Sequence, residues 1–124
     1  MDCAKVAYLE YVESGELRAD VAVTKHRIGH VDDIRPGQLL YVEVADIRIC
    51  LARVTNSGYY AIGARCTHED ELLTDGELHG DEVECAAHGS RFSVITGEVR
   101  GLPATAPANV YSVTVVGADV FVEV

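Results

Sequence analysis

The sequence of 124 residues has no tryptophan, one methionine and only 6% aromatic residues, so its apolar content rests on valine, alanine and leucine. Valine alternating with polar residues favours strands, and no window carries a long helical period, an internal repeat or a low-complexity tract. Basic residues are scarce as well. Ten Lys and Arg against twenty Asp and Glu leave a formal net charge of -10, which excludes nucleic acid and anionic membrane surfaces as partners and asks that a protein partner present basic groups. Long hydrophobic runs are also missing: the Val-rich stretch from Leu39 to Val54 is broken by Glu43, Asp46, Arg48 and Arg53, too soon for a membrane span. An export signal is not expected either, because Asp2, Lys5, Glu10, Glu13 and Glu16 interrupt any apolar segment near the start, and the expected location is the cytoplasm.

What remains is the pattern of one all-β domain over residues 1–124, a length that leaves room for one modest core and no second one. Val6 to Val12 and Leu17 to Val23 flank Glu13-Ser14-Gly15-Glu16, which predicts a hairpin in an N-terminal extension of residues 1–25. Arg35-Pro36-Gly37-Gln38 has the composition of a type II turn, followed by strands over Leu39 to Ala45 and Ile47 to Val54, a turn at Asn56-Ser57-Gly58, and a strand over Tyr59 to Ala64. Over residues 64–96 the alternation gives way to Gly-containing loops, with one tight hairpin across Leu78 to Val83. The tail alternates again, placing Tyr111, Val113 and Val115 on one face before a turn at Gly117-Ala118-Asp119 and a final strand through Val120, Val122 and Val124. The expected architecture is a stack of antiparallel sheets with a loop-rich insertion.

Four cysteines stand at 3, 50, 66 and 85. In a reducing compartment their pairing as disulfides is disfavoured, which turns attention to metal ligation. Cys66-Thr67-His68 forms a C-x-H pair and Cys85-Ala86-Ala87-His88 a C-x-x-H pair, with sixteen residues between His68 and Cys85. Each short loop aims one thiolate and one imidazole at a common point, so two facing loops make a four-ligand site that suits either zinc or an iron-sulfur cluster. By contrast Cys50 reads as a small buried hydrophobe, Cys3 as a free thiol, and His26, His30 and His79, which lack cysteine partners, as surface or structural residues.

The paired motif resembles that of the Rieske family, in which C-x-H precedes C-x-x-H by about this interval. The resemblance runs from about His26 to the end, and Cys66-Thr-His-Glu-Asp, Cys85-Ala-Ala-His-Gly-Ser-Arg-Phe and Leu102-Pro-Ala-Thr look most like the Rieske-type ferredoxins of aromatic-ring dioxygenase systems. It implies the Rieske fold, with a small cluster-binding subdomain, and one 2Fe-2S cluster held by Cys66 and Cys85 on one iron and His68 and His88 on the other. Two ferric ions, two sulfides and two thiolates are together neutral, whereas four thiolates would leave a dianion, so an electron enters a Rieske centre at higher potential.

High-potential members of the family carry a loop-to-loop disulfide at the positions of Glu71 and Ala87, which is absent here, and Ser and Tyr donors at the positions of Ser90 and Phe92, of which only Ser90 survives. A potential in the lower part of the Rieske range is therefore implied. Thr67, Gly89, Ser90, Arg91, Phe92 and Pro103 are expected around the ligands, Gly89 letting the backbone approach and Pro103 belonging to a third, shielding loop. Arg65, Glu69, Asp70, Glu71 and Arg91 flank the ligands as solvated surface or as part of a partner's footprint.

By the same resemblance the chain would be no enzyme in itself. It would carry single electrons from a flavin-dependent, NAD(P)H-oxidising ferredoxin reductase to a terminal Rieske non-haem iron oxygenase. Two alternatives are a small Rieske-like subunit of an NAD(P)H nitrite reductase and a zinc-stabilised binding module.

Overall fold

Residues 24–68 and 70–124 are described in a computed structural model, and the expected N-terminal hairpin, Cys3 and Glu69 lie outside them. The Val-rich middle of the chain forms the first sheet. Here β2 (Leu39–Val44) pairs with β3 (Ile47–Val54), β3 with β4 (Gly58–Gly63), and β4 with the short β9 (Val110–Tyr111), all antiparallel. The turn before β2 is the one the sequence predicts. Gln38 N-H donates to the Arg35 carbonyl at 3.1 Å, and Gly37 takes φ +85°, which a side chain would resist. Between β2 and β3 the two-residue turn places Ala45 and Asp46 at φ +50° and +68°. Both are left-handed as a type I′ hairpin requires, yet neither is Gly or Asn, so no composition signal marked the turn.

The second sheet joins the two ends of the described chain: β1 (Lys25–His30) pairs with β11 (Asp119–Glu123), which pairs with β10 (Val113–Val116). Strand β1 carries a register shift between Arg27 and Gly29, which breaks the alternation that would have revealed it. The expected continuous strand through Tyr111, Val113 and Val115 divides at Ser112, where the chain leaves the first sheet for the second. Tyr111 and Val113 nevertheless pack on the same core of Ile49, Leu51, Ala61 and Val122. One apolar face thus reads as one strand although two sheets share it.

The loop-rich insertion contains a sheet of its own. Four strands of three residues each, β5 (Glu77–His79), β6 (Glu82–Glu84), β7 (Arg91–Ser93) and β8 (Val99–Gly101), pair in sequence order. It reaches Gly101, beyond the boundary at 96 drawn from the sequence, because three-residue strands are too short to display a period. Leu78, Val83, Phe92 and Val99 point from this sheet onto Cys50, Ala52 and Ile62, so a second core joins it to the first sheet. No helix among the described residues is long and apolar enough to cross a membrane.

Candidate metal centre

Both candidate ligand loops rise from strand ends. The first leaves β4, where a lone antiparallel bridge between Arg65 and Leu72 closes it, and Cys66 N-H donates to the Glu71 carbonyl at 2.8 Å. It then enters a short 3-10 turn over Leu73–Asp75, whose Leu73 is fully buried. The second is the tip of the β6–β7 hairpin. Glu84 faces Arg91 as its last paired rung, Cys85 N-H donates to the Ser90 carbonyl at 2.7 Å, and Gly89 N-H turns back to the Cys85 carbonyl at 3.0 Å. Gly89 sits at φ +83°, so the left-handed turn, rather than close approach of another backbone, explains the glycine.

These loops bring the four candidate ligands together in two like pairs. Cys66 and Cys85 are 0% and 1% exposed, in the core that also holds Leu73, Val83 and Phe92. His68 and His88 are exposed, with ring centroids 6.2 Å apart and planes near perpendicular at 87°. Burial pushes the Cys85 thiol above its ordinary range and the adjoining Cys66 pushes the same way, while backbone N-H groups of Ala87 and His88 directed at its sulfur pull it down. Two buried sulfurs side by side cannot both shed their protons without a cation between or beside them. Among the described residues no three His, Cys, Asp or Glu side chains converge on a single point. The donors sort instead into a buried sulfur pair and an exposed nitrogen pair, which fits two irons of different ligation better than one tetrahedral ion.

A third loop, following β8, is tied to each ligand loop by one side chain. Ser90, fully buried, accepts from Ala104 N-H at 3.0 Å through Oγ, and Thr67 Oγ1 donates to the Ala106 carbonyl at 2.6 Å. A hydroxyl that accepts still has its own proton to give. Pro103 is exposed on that loop and joined to Leu102 by a cis peptide bond. Phe92 is core, with no exposure.

The Arg91 side chain points to the outer face of the small sheet and pairs with Glu84 at 3.4 Å and Glu82 at 3.7 Å. Of the other histidines, His30 Nδ1 accepts from Asp32 N-H at 3.0 Å and caps a short helical turn. His79 sits between Glu77 at 3.3 Å and Glu84 at 2.9 Å. Glu84 and Gly76 escaped the sequence reading. The signal for Glu84 was its place immediately before Cys85, legible only once the hairpin register is known.

A profile of the Rieske 2Fe-2S domain matches residues 24–114. This chain belongs to that family. The ferredoxin component of biphenyl 2,3-dioxygenase from Rhodococcus jostii (strain RHA1) is 35% identical over 91 residues, covering 73% of this chain and 84% of its own. Among solved structures, the ferredoxin of carbazole 1,9a-dioxygenase from Nocardioides aromaticivorans IC177 superposes with a TM-score of 0.76 at 31% identity, over 79% of this chain and 95% of its own. A ferredoxin seen in complex with the oxygenase of carbazole 1,9a-dioxygenase gives 0.74 at 33% identity, over 79% and 91%. A putative nitrite reductase small subunit from Mycobacterium tuberculosis shares the fold at 18% identity, over 82% of this chain and 95% of its own, with a TM-score of 0.74, and that likeness carries the fold alone.

Proposed function

We propose that Cys66 and Cys85 hold one iron of a Rieske 2Fe-2S cluster, that His68 and His88 hold the other, and that the chain is a one-electron carrier. The bound cluster supplies reversible storage of one electron. The observation that carries this reading is the sorting of the donors, with the thiols sealed into the core and both imidazoles at the surface. Buried thiols exclude water from the sulfur end, and the backbone N-H groups of Ala87 and His88 favour negative charge on the Cys85 sulfur. At the other end the rings of His68 and His88 offer the shortest route for an electron to a docked protein.

Its donor is then a flavin-containing, NAD(P)H-dependent reductase. Its acceptor is a terminal Rieske non-haem iron oxygenase of an aromatic substrate, as the relatives' names and the ferredoxin–oxygenase complex suggest. With a net charge of -10 the carrier favours partners that present basic groups around their own redox centres. No disulfide joins the three described cysteines, which suits a reducing cytoplasm.

Anaerobically prepared protein is expected to contain equimolar iron and acid-labile sulfide and to give the EPR signal of a Rieske centre on reduction. Absence of iron and sulfide, or unchanged spectra after His68→Ala or His88→Ala, would end this reading. A chain that co-elutes permanently with a large reductase subunit would instead be the small subunit of a nitrite reductase.

A further inference from the structure

The outer face of the small sheet, opposite Leu78, Val83 and Phe92, carries a chain of ionisable side chains in contact across all four strands. His79 bridges Glu77 and Glu84, Arg91 bridges Glu84 and Glu82, and Arg100 continues from Glu82 at 3.6 Å. One rung of this ladder has a special place. Glu84 and Arg91 are the last paired residues of the hairpin whose tip is the second ligand loop, so their ion pair closes that loop at its base. The Glu84 carboxylate also leans toward the tip: its Oε2 lies 3.6 Å from where a Cβ on Gly89 would stand, beside the backbone that joins His88 to Ser90.

A carboxylate so placed opposes the arrival of an electron, because reduction adds negative charge to the same small region. Its field is offset by the Arg91 guanidinium 3.4 Å away, and His79 Nε2 lies 2.9 Å from the same carboxylate. Side-chain exposures of 33% for Glu84 and 44% for Arg91 leave the pair partly open to solvent, so its worth lies less in stability than in where its charges sit.

We propose that the Glu84–Arg91 pair sets the redox potential of the cluster: Glu84 lowers it, and Arg91, a positioning residue acting through Glu84, cancels that effect while fixing the carboxylate at the base of the loop. This rests on the assignment of Cys85 and His88 as ligands.

Redox titration of the cluster-loaded chain, followed by visible circular dichroism and EPR, tests it with Glu84→Gln, Arg91→Gln and the double variant. Glu84→Gln should shift the midpoint upward, Arg91→Gln downward, and the double variant should return close to the parent value. Both single shifts should shrink as salt is raised, since the groups are partly screened. A purely structural role predicts something else: both single variants would move the potential the same way, with altered EPR line shape, and the double would be worse than either. That result, or potentials that do not move, overturns the proposal. If Arg91→Gln does not keep its cluster, Glu84→Gln alone decides, because the absence of an upward shift is then sufficient to reject it. Parent protein without iron and sulfide would remove the ligand assignment instead, so the two failures are distinguishable.

Discussion

The two ligand loops supply the same donor types by different means. The second loop is the tip of a regular hairpin with an ion pair at its base, backbone N-H groups on its sulfur and a buried hydroxyl behind it. The first is closed by a lone bridge with two backbone hydrogen bonds, Cys66 N-H to the Glu71 carbonyl and Leu73 N-H to the Ala64 carbonyl, runs into a helical turn, and carries its charged pair, Arg65 and Asp70, in the open, with side chains 63% and 89% exposed. Electrostatics act strongly only where water is displaced. The second loop is therefore the one that tunes the site, and the first chiefly supplies its ligands.

Ligand removal should erase that difference, which makes it the largest effect. Cys66→Ser in the first loop and Cys85→Ser in the second are both expected to abolish the cluster, seen as loss of iron, sulfide and visible absorption. Retention of the cluster in either would break the assignment.

Next in size comes the point where the bases of the loops meet. Gly76 ends the helical turn of the first loop, and a Cβ there would run into the Glu84 carbonyl at the base of the second. Gly76→Ala has no flexible neighbour to push aside, and overpacking of this kind costs about 1–3 kcal/mol or more. A clear fall in Tm with lower cluster occupancy is expected, and an unchanged Tm would mean that the loops have slack.

The ties to the third loop sharpen the comparison. Ser90→Ala strands the N-H of the fully buried Ala104, at a cost of about 1–3 kcal/mol. On the reading that the Ser90 hydroxyl donates to cluster sulfur, redox titration should respond as well as chemical denaturation, with the midpoint moving downward. Thr67→Val breaks an exposed hydrogen bond to Ala106, and about 0.5–1 kcal/mol with little change of potential is expected. Equal potentials in the two variants would contradict the asymmetry drawn above.

Much of this was legible in the sequence. The turn at residues 35–38, the strands β2 to β4 and the tail hairpin follow from alternation and turn chemistry over spans long enough to show a period. The candidate ligands follow from spacing, and the loops bring them into a thiol pair and an imidazole pair. Cys50 was read as a small hydrophobe, and it is fully buried with its thiol pushed up to about 12 by desolvation. Strand β1 was hidden by its bulge, the small sheet by strands three residues long, and the turn at Ala45 and Asp46 by residues that give no turn signal. Arg91 was expected beside the ligands because it is near them in sequence. Strand alternation sends its side chain to the opposite face from Phe92 and onto the Glu84 carboxylate, a partner that only the register reveals.

The smallest expected effect probes the quiet side of the comparison. Arg65 adjoins Cys66 in sequence as closely as Glu84 adjoins Cys85, so distance along the chain alone would rank the two pairs as equals. Arg65 Nε and Asp70 Oδ1 are 3.3 Å apart, but both side chains are mostly in water, where such pairs contribute about 0–1 kcal/mol and salt screens them. Arg65→Gln and Asp70→Asn should therefore leave Tm and midpoint potential near the parent values at moderate ionic strength. Electron transfer to an oxygenase is a separate readout, because a rim charge acts on encounter rates even when it does nothing for stability. A shift in potential as large as that of Glu84→Gln would show that solvent does not separate the two loops electrostatically.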